Sequence, residues 1–490
     1  MIFKKVTFIL GPLVGIIMIL LPSPSGLSIA GWHTAAVGIW MAVWWLSEAI
    51  PMSATALLPI VLFPLLGVMK VGEATQPYAN PLIFLFMGGF LIATSMQRWN
   101  LHRRIALNII NLMGTRPSGI LWGIIISSAF LSMWVSNTAT ALMMLPIGTS
   151  IIALISENSP GEMDASVRNF EVVLVLAIAF ACNIGGMGTI IGTPPNALLV
   201  GLINQTYHYE IGFFEWMKMG IPLVAVSLPL MYIILTKWVF PIKMKELPGG
   251  REFLNSELQK LGKMSLAEKK VAAVFIGVAL LWIFRPLVAK IIPGLSDAGI
   301  AILAGLSLFV LPMNFKDHVF LLDWDHARQI PWGILLLFGG GLSLAEGIES
   351  SGLASWIGSV VGGLNQWPVV LLVLIVIVVT VVLTQLASNT GTAAAFLPVF
   401  ASVAVGIHQN PLLLAIPAAL AASCAFMLPV STPPNAIVYS SGKVTIQQMA
   451  KAGLWLNILF VILLIATVFG LMDMVFGVHL GELPSWVTSG

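Results

Sequence analysis

Apolar runs long enough to cross a hydrocarbon core of roughly 30 Å begin near Val6, His33, Ser53, Pro81, Phe170, Gly220, Val271, Asp297, Pro331, Leu412 and Leu454. Two further stretches, 118–155 and 367–405, are longer, and each is apolar on both sides of a small polar centre. That pattern predicts a hairpin entering and leaving from one membrane face. The expected fold is therefore an all-α polytopic membrane protein with about 11 transmembrane helices and two re-entrant hairpins. The first run follows Lys4 and Lys5 and precedes Ser28 and Ala30, some of the marks of a signal peptide. Its length, the spans that follow at once and the poor Ala-x-Ala site predict a retained first span instead.

Composition agrees with a hydrocarbon solvent. Of 490 residues, 58% are hydrophobic and 9% charged, against roughly 25% charged in soluble proteins, which excludes a soluble globular reading. A formal net charge of +3 is too small and too dispersed for a nucleic-acid footprint. Cys182 and Cys424 lie in apolar runs and read as small packed side chains, too few for a disulfide framework. The seven histidines show no metal-ligand spacing. The many Trp and Met residues read as interface belt and lipid-facing filler, and Glu48, beside Trp44 and Trp45, as an interfacial anchor.

Lysine and arginine set the orientation, because short loops bearing them stay on the cytoplasmic side. With the N-terminus inside, nineteen of the 23 basic residues fall in cytoplasmic segments, Arg103, Arg104, Lys245 and Lys316 among them. Lys70, Lys218, Arg285 and Lys290 fall outside. The opposite orientation inverts that ratio, so the N-terminus is expected in the cytoplasm and the C-terminus outside, in a plasma or inner membrane. The count is blind to whether the two long stretches are hairpins or full double crossings.

The chain also repeats itself. Ser136-Asn137-Thr138-Ala139-Thr140-Ala141 recurs as Ser388-Asn389-Thr390-Gly391-Thr392-Ala393, an offset of 252 that also aligns Gly88-Gly89 with Gly340-Gly341. Thr193-Pro194-Pro195-Asn196 recurs as Thr432-Pro433-Pro434-Asn435, at an offset of 239. The glycine pairs read as close helix packing. A mixed-charge segment containing Lys243, Lys245, Glu246 and Glu257 separates the copies. The expected domains are an N-terminal span and external loop (1–32), a first repeat (33–240) with a hairpin at 118–155 and an unwound helix at 170–203, a partly helical cytoplasmic linker (241–270), and a second repeat (271–490) with a hairpin at 367–405 and an unwound helix at 411–440. The charge count places the two hairpins on opposite faces. Inverted repeats with matched helix breaks point to a secondary transporter whose site lies at the repeat interface.

A lone Ser-Asn-Thr patch commonly serves helix packing, and a lone Pro-Pro a kink. Doubled and inverted, they predict a site. Asn and Ser side chains and freed carbonyls offer hard oxygens to Na+, while Thr hydroxyls, Asn amides and helix N-terminal N–H groups can donate to a carboxylate. Neither motif region holds Arg or Lys. A bound anion must then borrow positive charge from co-bound cations, which makes cation coupling physically sensible. An intramembrane enzyme is disfavoured, because no His-Glu-x-x-His, no Gly-x-Ser-x-Gly with a partner His and no intramembrane Asp pair is present.

With these four motifs in register over nearly the whole chain, the sequence resembles the divalent anion:sodium symporters, the sodium-dicarboxylate cotransporter family. The resemblance implies a homodimer, a scaffold subdomain, and a transport subdomain that moves like an elevator. It implies one sodium near Ser132, Ser136, Asn137 and the carbonyl of Gly192, and a second near Thr384, Ala387, Asn389 and the carbonyl of Ser431. It implies substrate contacts from Ser136, Asn137, Thr138, Ser388, Asn389 and Thr390, with Thr193, Pro194, Thr432 and Pro433 closing the site. The expected activity is sodium-coupled uptake of a C4-dicarboxylate such as succinate, fumarate or malate, with a dicarboxylate or citrate exchanger and a sulfate carrier as alternatives.

Overall fold

The computed structural model describes residues 2–157, 165–244, 250–315 and 318–488. Lys245, Glu246, Lys316 and the last two residues of the tail lie outside the described residues. Among the described residues the protein is helical, apart from one short ribbon pairing Pro312–Asn314 with Val319–Phe320. Ten helices among the described residues are long and apolar enough to cross a membrane, so the chain is a multi-pass integral membrane protein.

Each long stretch is a pair of helices broken at its polar centre. Pro117–Ser132 is followed by Asn137–Glu157, and Val369–Leu386 by Asn389–Gly406. Each stretch with a Pro-Pro motif is a broken helix: Ala165–Gly186 then Pro194–Tyr207, and Leu412–Ala422 then Pro433–Ser440. The first arm of each pair packs on the first segment of its own broken helix. The second segments cross over, Pro433–Ser440 onto Asn137–Glu157 and Pro194–Tyr207 onto Asn389–Gly406. The two halves therefore interlock rather than sit side by side.

Some predicted spans are shorter than their apolar runs. The run from Ser53 forms two pieces, Met52–Thr55 and Leu58–Leu65, because prolines at 51, 59 and 64 remove donors and crowd the preceding turn. Asp297–Val310 has 14 residues, about 21 Å at 1.5 Å per residue, less than the hydrocarbon thickness. Within the linker, Gly250–Leu261 is helical. The next helix, Leu266–Val288, starts earlier than its apolar run because Ser265 and Glu268 cap each other: the Glu268 N–H donates to Ser265 Oγ at 3.2 Å and the Ser265 N–H to Glu268 Oε2 at 2.6 Å. Arg103 and Arg104 fasten this segment down, pairing with Glu257 and Glu268, both at 2.7 Å. The Lys260 ammonium, and then Arg103, hold the Glu257 carboxyl below the usual carboxylate range.

The repeated glycines do mark close approach, as Gly88 abuts the Ala301 backbone and Gly340 abuts Ala56. The reading of tryptophan as an interface belt fails for three of the 16 tryptophans. Trp45, Trp216 and Trp282 are fully buried, because each indole N–H finds a carbonyl inside the bundle, on Met52, Met187 and Asp297 respectively.

Candidate substrate and cation site

The four breaks meet at one cavity of about 330 Å³, into which Asn137–Glu157, Asn389–Gly406, Pro194–Tyr207 and Pro433–Ser440 all turn their first residues. A helix start carries unpaired N–H groups and the positive end of its dipole, so four of them here make a positive field. The prolines play a different part from the one their spacing suggested. Pro194 and Pro433 are the first residues of the helices that follow, where a missing N–H costs nothing. The break lies upstream, at 187–193 and 423–432. Donors for an anion therefore come from the two Asn-bearing tips, while the upstream segments expose carbonyls.

Ser136, Asn137, Thr138, Ser388, Asn389, Thr390, Pro194, Thr432 and Pro433 all line this cavity, as do Gly192 and Ser431. Thr193 does not: it is fully buried with its Oγ1 3.4 Å from Ser423 Oγ. Ser132 and Thr384 sit behind the lining in matched positions. The Ser132 hydroxyl lies within hydrogen-bond reach of the Cys182 carbonyl, at 2.7 Å, and of Asn137 Oδ1, its single proton serving one of them at a time, and Thr384 donates to the Ala422 carbonyl at 2.6 Å. Ala387 is also buried outside the lining.

Hard oxygens do cluster at the first tip. A Cβ built on Gly186 would lie 2.9 Å from both Asn137 Oδ1 and the Gly192 carbonyl oxygen and 3.2 Å from Asn137 Nδ2, so the Asn137 amide and that carbonyl border one spot that a glycine leaves open. Such a donor set suits a small hard cation. At the second tip Asn389 Oδ1 accepts from the Thr390 N–H at 2.8 Å and the Thr390 hydroxyl at 3.1 Å, while the Ser431 hydroxyl donates to the Leu428 carbonyl at 2.6 Å. Among the described lining residues there is no Lys or Arg. The lining also includes apolar side chains, Phe86, Phe90, Ile191, Leu337 and Val430.

Three features escaped the motif reading. Asn196 donates to the carbonyls of Gly186 and Thr189, at 3.2 and 2.8 Å, and Asn435 to those of Ala425 and Leu428, at 2.8 and 3.1 Å. These are equivalent bonds at the 239 offset, and they hold each unwound segment in shape. The fourth letter of the repeated Thr-Pro-Pro-Asn was the available signal. Glu48 stands at the cavity edge, 3.5 Å from Lys4, and Asn183 lines its wall. An Asn inside an apolar helical run is itself a functional flag in a membrane protein.

A polytopic helical bundle that aims four helix starts into a cavity lacking lining cations has the architecture of a membrane transporter. Comparison with known families gives the closer assignment. The family described as the sodium:sulfate symporter transmembrane region matches residues 4–478, and the chain belongs to it. It is 45% identical over 484 residues to the sodium-dependent dicarboxylate transporter SdcS of Staphylococcus aureus strain USA300, covering 98% of this chain and 93% of that protein. The same protein from strain bovine RF122 / ET3-1 matches equally. Two solved structures share the fold. The Alcanivorax borkumensis YdaH transporter superposes with a TM-score of 0.58 at 13% identity, over 91% of this chain and 99% of that one. Neisseria gonorrhoeae MtrF gives 0.59 at 12%, over 98% and 95%.

Proposed function

We propose that this protein couples the inward movement of Na+ to uptake of a C4-dicarboxylate such as succinate, fumarate or malate. The observation that carries the reading is the cavity: two Asn-bearing tips and four helix starts surround it, with no basic side chain among its lining. A dianion held only by dipoles and hydroxyls binds well once cations neutralise the field it faces. The membrane potential then adds roughly 2.3 kcal/mol per net charge per 100 mV. The 45% identical S. aureus relative, named as a sodium-dependent dicarboxylate transporter, supports the substrate class. A cavity lined by a Ser-Asn-Thr tip from each half favours a ligand charged at both ends over a compact anion such as sulfate.

In this reading one Na+ is held by Ser132, Ser136, Asn137 and the Gly192 carbonyl, and a second by Thr384, Ala387, Asn389 and the Ser431 carbonyl. Thr138 and Thr390 join the Ser and Asn side chains in holding the carboxylates. Pro194, Thr432 and Pro433 close the site, with Thr193 one layer behind. The halves are inverted repeats and the helical pairs are re-entrant hairpins. The N-terminus is cytoplasmic and the C-terminus external. Support comes from the ion pairs: Lys4 with Glu48, Arg103 with Glu257, Lys443 with Glu171 and Arg285 with Glu210 each join residues that the charge count assigns to one side. The protein works as a homodimer whose tips and broken helices move as an elevator against the remaining helices. Counterflow separates symport from exchange. Vesicles preloaded with succinate in sodium-free buffer should take up no labelled succinate, and rapid counterflow there would favour an exchanger.

A further inference from the structure

Asn183 is a polar residue of the cavity wall that has no polar counterpart at the equivalent position of the other half. It lies near the end of Ala165–Gly186, is 1% exposed, and corresponds at the 239 offset to Ala422. Its Nδ2 is 3.3 Å from Thr432 Oγ1, 3.4 Å from Asn435 Oδ1 and 3.5 Å from the Ala425 carbonyl. Neighbours decide which way the amide points. Asn435 commits its own Nδ2 to the carbonyls of Ala425 and Leu428, so it presents only an acceptor to Asn183. The Ala425 carbonyl is an acceptor as well. The nitrogen of Asn183 must face this group, which leaves its Oδ1 buried with no partner. An apolar side chain of similar shape would remove that orphaned oxygen but strand Asn435 Oδ1, so the amide is explained by the groups it donates to.

Its effect falls on Thr432. That hydroxyl oxygen receives the Asn183 N–H and, at 3.4 Å, the Asn435 backbone N–H. A hydroxyl has two lone pairs and one proton. With both lone pairs engaged, the proton leaves on the remaining side, where Thr432 lines the cavity. Thr193, the equivalent residue, has no such pair of donors and lies outside the lining, next to Ser423.

We propose that Asn183 is a positioning residue: by occupying the lone pairs of Thr432 it makes that hydroxyl a one-way donor toward a substrate carboxylate, at one end of the site only. The inference rests on the reading of Thr432 as substrate-facing. It follows that the two carboxylates of a symmetric substrate are held unequally.

The test is a double-mutant cycle on succinate uptake by the full chain in proteoliposomes, using Asn183→Leu, Thr432→Val and the pair together. Asn183→Leu should raise the succinate KM about tenfold, the equivalent of about 1.4 kcal/mol, with kcat within about twofold. Thr432→Val should raise KM at least as much, and the double variant should be no worse than Thr432→Val alone. Asn183→Ala replaces the leucine variant if that one fails to reconstitute, and retention of thermal stabilisation by Na+ alone reports that the fold is intact. Multiplying KM effects in the double variant, or an unchanged KM in Asn183→Leu beside an impaired Thr432→Val, would overturn the inference alone. An unchanged KM in Thr432→Val would overturn the reading of the site beneath it.

Discussion

The two tips carry nearly the same hexapeptide, yet the ground behind them differs. Behind the first, Gly186 leaves a spot bordered by the Asn137 amide and the Gly192 carbonyl, and the Ser132 hydroxyl lies within hydrogen-bond reach of Asn137. Behind the second, the position equivalent to Gly186 is Ala425, that of Gly192 is Ser431 and that of Asn183 is Ala422. There the Asn389 oxygen is engaged by Thr390 instead. What both halves keep is the skeleton: helix starts at the Asn and Pro-Pro positions, and the Asn196 and Asn435 staples across each break. What they vary is the local chemistry. Duplication accounts for the shape of the site, and the later differences for any preference between its two ends.

The largest expected effect removes what the tips share. Asn137→Ala and Asn389→Ala should each lower sodium-dependent uptake at least about 100-fold, since the proposed site gives each asparagine more than one charged partner at about 1.5–3 kcal/mol per bond, while the protein still elutes as folded. Next comes the glycine. Gly186→Ala puts a methyl between Asn137 Oδ1 and the Gly192 oxygen and should weaken sodium activation about tenfold or more, read as the Na+ half-saturation of uptake. Ala425→Gly, the mirror change, should stay within about threefold, because that backbone already accommodates a Cβ; the loss falls at the low end of the roughly 0.5–1 kcal/mol of a glycine substitution. Equal sensitivity in the two would remove the claimed difference between tips. Gly192→Ser should likewise be far more damaging than Ser431→Gly, because a Cβ at 192 runs into the Gly186 backbone. The smallest effect belongs to the mouth. Glu48→Gln removes a half-exposed anion and should tighten apparent succinate affinity about two- to fivefold, a gain that fades with added inert salt.

Much of this was legible along the chain because duplication prints each important residue twice. Ser136 and Ser388, or Pro194 and Pro433, stand out against apolar runs through matching flanks. Helix breaks at depth are also visible, since proline and glycine punctuate otherwise uniform hydrophobicity. The exact break was not, because a proline pair reads the same whether it ends one helix or begins the next; only the upstream carbonyls and the Asn staples place the break before it. Asn183 was missed for the opposite reason to the motifs, having no repeat to mark it. Trp45, Trp216 and Trp282 were misassigned because an indole serves equally at a membrane interface and in a core that offers its N–H a carbonyl. The short pieces at 52–65 were hidden by hydropathy, which counts apolar residues without asking whether prolines let them form one helix.

The most direct test is accumulation of labelled succinate in proteoliposomes against a succinate gradient. An inward Na+ gradient, with K+ replacing Na+ in the control, should drive uptake above equilibrium, and collapsing that gradient should release it. Succinate accumulation of equal extent with and without the Na+ gradient would contradict the account.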